Sequence, residues 1–113
     1  MLTVDNLKSL GVNVEEGLGR CLNNETFYLK LVGMGLSDAH FEELRHALDA
    51  GDTKTAFEAA HALKGVIANL SLTPILTPLS EMTEALRGQT GPVDVEELYG
   101  QMKEALDAAR ALL

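Results

Sequence analysis

The sequence has 113 residues, 46 % hydrophobic and 23 % charged, a size and balance that read as one domain over residues 1–113 with no room for a second. Its formal charge of −8 argues against nucleic acid and anionic membrane as partners, because both require a basic footprint that displaces counterions. There is no apolar run of 18 residues and no signal-like N-terminus, so the chain is expected to be cytoplasmic. The single cysteine, Cys21, excludes an internal disulfide and a cysteine-based zinc site.

Cap residues, glycines and prolines divide the sequence into helices, and no alternating strand pattern of useful length occurs. A short helix is expected from Asn13, with Glu16 completing a capping box and Val14, Leu18 and Cys21 or Leu22 on one side. The second helix, 24–36, carries Phe27, Leu31 and Met34 as its core stripe, with Gly33 and Gly35 weakening its last turn. Ser37 is the expected cap of a third, on which Phe41, Leu44 and Leu48 recur before Ala50-Gly51 ends it. Asp52 then caps a long helix over 53–70. A fifth starts at Thr73-Pro74 or, because proline lacks an N–H, at Pro78, and carries Leu79, Met82 and Leu86. After a loop over 89–93, Asp94 and Glu97 form the capping box of a last helix with Leu98, Met102, Ala105, Ala109 and Leu112 along one side. The expected architecture is all-α: an antiparallel up-down four-helix bundle with a short additional N-terminal helix and a flanking C-terminal helix.

The 53–70 helix has two distinct faces. Ala56, Ala59, Ala60, Leu63, Val66, Ile67 and Leu70 fill an apolar arc of roughly 120°, and His61 lies about 140° from its centre. The imidazole should therefore face solvent, flanked by Lys54, Phe57, Lys64, Gly65 and Ala68. Gly65, one turn beyond His61, is about 1 kcal/mol worse than alanine inside a helix and implies a need for space beside the ring. Phe57 adds an apolar surface one turn before it. Small residues, an aromatic ring and two lysines around one histidine describe a docking surface with a reactive nitrogen at its centre.

An exposed imidazole, with a reference pKa of about 6.5, is mostly neutral at pH 7 and can attack phosphorus without a separate base. The phosphorylated nitrogen would bring close to two negative charges, which Lys64 and Lys54 partly offset. Because the sequence contains no phosphate-binding glycine-rich motif, kinase signature or metal cluster, the phosphoryl group would have to come from another protein. The chain thus reads as a phosphoryl carrier without a kinase or phosphatase centre of its own. His40 and His46, six apart, do not share a helix face and read as surface residues; no metal site is expected.

The run Ala60-His61-Ala62-Leu63-Lys64-Gly65-Val66-Ile67-Ala68-Asn69-Leu70 resembles the signature of histidine-containing phosphotransfer (HPt) domains, commonly Ala-His-x-Leu-Lys-Gly, small residues, then Asn-Leu and Gly. The resemblance implies that His61 is phosphorylated, that Lys64 lies near the phosphoryl group and that Gly65 gives access to the ring, with Phe57, Lys54 and Ala68 as docking contacts. It implies response-regulator receiver domains and a hybrid sensor kinase as partners, with this chain a monomer that holds no cofactor. Magnesium and the aspartyl group would belong to the receiver. Ser71 stands where the family usually has glycine, and Val66 where a smaller residue is frequent. A second reading of the same face is an interaction module that binds a receiver or another helix without carrying phosphate.

Overall fold

The computed structural model describes residues 1–113 and contains seven helices and no strand. They are α1 (Val4–Ser9), α2 (Val14–Arg20), α3 (Glu25–Leu36), α4 (His40–Asp49), α5 (Thr53–Asn69), α6 (Thr73–Leu86) and α7 (Glu96–Arg110). The expected all-helical antiparallel bundle is formed by α4 to α7, each packed against its chain neighbour. The last helix, expected to flank the bundle, is its fourth member. Arg45 of α4 closes the ring by lying over the Tyr99 ring of α7 and pairing with Glu96 at 2.7 Å.

Local chemistry sets most boundaries. Asp52 accepts the Thr55 N–H at 3.1 Å and the Thr55 hydroxyl at 2.7 Å, fixing the start of α5. Gly51, at φ +69°, ends the preceding segment in the left-handed conformation that suits glycine. α6 begins at Thr73 and continues through Pro78, because a single lost N–H is tolerated where the ring is buried in the core and contributes apolar contact.

Further expectations need correction. Two short helices precede α3 rather than one; Thr3 caps the unexpected α1 by accepting the Asn6 N–H at 3.0 Å. Glu16 does not complete its box at the Asn13 backbone, whose N–H goes to the Ser71 carbonyl at 3.2 Å. Ser37 closes α3 instead of opening α4, and Asp38 accepts the His40 N–H at 2.8 Å. Asp94 accepts the Glu96 N–H at 3.1 Å, but α7 starts one residue later than expected, after Val95. Finally, α3 buries Tyr28, Val32, Gly35 and Leu36, leaving Phe27 and Met34 exposed; Leu22, offered as a partner of Val14, is also exposed.

The core runs through the whole length of α5, where Ala56, Ala59, Ala60, Leu63, Ile67 and Leu70 are buried as the apolar arc requires, with Val66 half-buried at its edge. Three of these are alanines, which let α4 and α6 approach closely. α4 runs antiparallel to α5. Tyr28 meets the Leu70 end, while α4 packs on α5 toward the Thr53 end.

Candidate functional site

The α5 face opposite the core presents His61 to solvent. Its ring stacks on Phe57 one turn earlier, with centroids 5.6 Å apart and an interplanar angle of 18°. Phe57 in turn lies under the Arg87 guanidinium, 5.0 Å from the ring centroid, at the end of α6. Arg87 is also hydrogen-bonded to Glu84 at 2.8 Å and holds that carboxyl below its ordinary range, with lesser contributions from Lys64 and His61. Arg87 over Phe57 and Lys64 thus bring cations of two helices to the His61 face, together with the Glu84 carboxylate. The His61 ring nitrogens have no hydrogen-bond partner within the chain, unlike those of His40, whose Nδ1 lies 2.7 Å from Asp38.

Gly65 has an informative environment. A Cβ built there would meet nothing within 4 Å, so no packing inside this chain requires glycine in the middle of a helix, where it costs about 1 kcal/mol relative to alanine. The space it leaves is on the outside. Gly65 also borders a groove of about 540 Å³ between α3 and α5. Lys64 and Ala68 are half-buried on either side of it, and Lys54 is exposed two turns before His61.

The far end of this helix is tightly held. Ser71 adopts φ +57° where glycine is common in such a position, and its hydroxyl accepts from Arg20 at 2.6 Å and donates to Glu16 at 2.8 Å. Arg20 also donates to the Ala68 and Asn69 carbonyls at 3.2 and 3.4 Å, and Tyr28 to the Leu70 carbonyl at 2.9 Å. The last turn of α5 thus has donors for carbonyls that a helix end leaves free. These contacts offset the strain of a left-handed serine.

The family model described as Hpt domain matches residues 35–112, a span that contains α4 to α7 and all of the His61 surface. The chain belongs to the Hpt domain family. Searches of curated proteins and of solved structures gave no match. Hpt domains are phosphocarriers that serve histidine phosphotransfer in phosphorelays, interacting with receiver domains and kinases of two-component systems. In this Hpt domain the structure brings His61, Phe57, Lys64, Gly65 and Ala68 onto one surface and leaves Lys54 at its N-terminal margin. Sequence reasoning missed Arg87 and its partner Glu84, because the approach of Arg87 to Phe57 depends on how α6 lies against α5. No group of three His, Cys, Asp or Glu side chains has a metal-binding arrangement, and no helix is long and apolar enough to cross a membrane.

Proposed function

We propose that this Hpt domain is a phosphorelay intermediate in which His61 accepts a phosphoryl group from a receiver aspartate or a sensor kinase and passes it to a response regulator. The observation that carries the reading is the combination, on one solvent-facing helical turn, of an imidazole without internal partners and a glycine with open space beyond it. The lone pair of a neutral ring nitrogen forms the N–P bond as the aspartyl P–O bond breaks and the carboxylate leaves; the proton on the opposite nitrogen stays on the ring or passes to solvent. Return transfer reverses these steps.

Phe57 fixes the ring plane by stacking, and Lys64 and Arg87 supply positive charge near the incoming group. Ala68 and Lys54 border the contact surface. The reaction needs no metal or cofactor on this chain: magnesium and the aspartyl group belong to the receiver. This reading places the domain in the cytoplasm and has it act as a monomer. Incubation with phosphorylated receiver domains of the source genome should give an acid-labile, base-stable label on the protein. His61→Gln should abolish that label, by at least 100-fold, without changing the helical circular dichroism. A module that only binds receivers would give no label and would bind equally well after His61→Gln.

A further inference from the structure

The His61 surface carries one charge of the wrong sign for holding phosphate. Lys64 follows His61 on α5, and Arg87 lies over the Phe57 ring at the end of α6; both suit a phosphoryl group. Glu84, one turn before Arg87, is a carboxylate whose side chain is 58 % exposed and whose only hydrogen-bond partner is Arg87. It fills no part of the core. Its charge interacts with Lys64 and with His61 as well as with Arg87. Glu58, the carboxylate three residues before His61 on α5, instead lines the recess between α4 and α5 with His40 and Glu43.

Two consequences follow once His61 bears a phosphoryl group, which brings nearly two negative charges. Glu84 repels that group directly. It also engages the Arg87 Nε at 2.8 Å, so that a guanidinium within reach of the site is already paired. Neither effect weighs on the uncharged imidazole, because a neutral ring has no charge–charge interaction with a carboxylate. Glu84 therefore acts on the difference between the two states of His61.

We infer that Glu84 sets the phosphoryl-transfer potential of this protein: it keeps the phosphorylated state of His61 high in energy, so that a group received from one partner passes to the next instead of resting on the carrier. The inference rests on the relay reading above and concerns the equilibrium, not the nucleophile. In the onward step a receiver carboxylate oxygen forms the new P–O bond while the N–P bond breaks and its electron pair returns to the ring nitrogen. Relief of the repulsion at Glu84 favours that direction. Glu84 touches no reacting atom; it tunes the site through charge and through Arg87. Both groups are exposed, so solvent and salt screen the effect.

The test uses the full chain, unaltered and as Glu84→Gln, with a phosphorylated receiver domain of the source genome. Forward and reverse transfer rates give the ratio of phosphorylated carrier to phosphorylated receiver. That ratio should rise about three- to tenfold in Glu84→Gln at low salt, and the difference should shrink below about twofold at about 1 M salt, where the Debye length is about 3 Å. A second measurement needs no receiver. The protein is labelled with phosphoramidate, a small donor that needs no docking surface, and its phosphorus chemical shift is followed against pH. With Lys54, Lys64, Glu58 and Arg87 unchanged, removal of the Glu84 charge should lower the pH at which the phosphoryl group takes up its last proton by about 0.3 unit. A normally labelled variant with an unchanged ratio and titration would overturn the inference and leave the relay reading standing. So would an equal change in Glu104→Gln, exposed on α7, since the effect would then belong to the net charge of the chain. If the unaltered protein is labelled by neither donor, the relay reading itself fails and takes this inference with it.

Discussion

At the C-terminal end of α5 the carbonyls of Ala68, Asn69 and Leu70 accept side-chain hydrogen bonds from Arg20 and Tyr28, whereas two turns earlier His61 has only the Phe57 ring against it and free space beside Gly65. The same helix is anchored at one end and left open on the face that reacts. Anchoring holds the helix axis, and with it the position of the imidazole, without placing any internal group in the path of a partner. The elements that supply the anchor, α2 and the start of α3, lie before the family-matched span. They brace α5 from outside the four-helix bundle.

This contrast can be broken from either side. The largest effect is expected at the anchor. Tyr28→Phe leaves the buried Leu70 carbonyl without its donor and should destabilise the protein by ~1 to 3 kcal/mol, read as a lower denaturation midpoint with an unchanged transfer rate at temperatures where the variant stays folded. The same residue predicts an alkaline limit. Burial pushes the Tyr28 hydroxyl up to about 12, against about 10 in an unfolded chain. The neutral phenol is therefore the form the fold favours: its contribution is complete below pH 10 and is lost as pH rises from 10 towards 12. In Tyr28→Phe that loss should be absent from the stability profile.

A smaller effect of opposite sign is expected on the open face. Gly65→Ala adds a methyl group with nothing of this chain within 4 Å, so it should stabilise the fold by up to ~1 kcal/mol through helix propensity. Transfer from a phosphorylated receiver should nevertheless slow about tenfold, while labelling by phosphoramidate stays within a few-fold. Unchanged receiver transfer would show that Gly65 is not there to admit a partner.

The solvent-facing position of His61 was legible in the sequence because the α5 apolar arc is continuous and the histidine lies well outside it. Asp52 and Gly51 likewise signalled their helix boundaries through chemistry contained within a few residues, whereas Thr73-Pro74 and Pro78 left the start of α6 open, and it is Leu72, not Thr73, that precedes the first helical residue. α3 was not legible in the same way. It carries two competing apolar stripes, Phe27-Leu31-Met34 and Tyr28-Val32-Leu36, and periodicity alone does not choose between them. Tertiary fit chooses: Gly17 of α2 stands where a Cβ would come within 2.5 Å of the Tyr28 ring, so the absence of a side chain there admits the tyrosine and turns the other stripe to water. Arg87 escaped notice because its role arises from the register of α6 on α5. Ser71 stands where the family usually has glycine, and the structure draws its hydroxyl into the bonds made by Arg20 and Glu16.

The most direct test of the account is to locate the phosphoryl group after transfer from a receiver, by phosphorus–proton correlation NMR at neutral or alkaline pH on the intact protein. The chain contains three histidines, and the account predicts a phosphorus–nitrogen signal coupled to the His61 ring alone. Phosphate on His40 or His46, or none on any imidazole while the receiver remains bound, would contradict it.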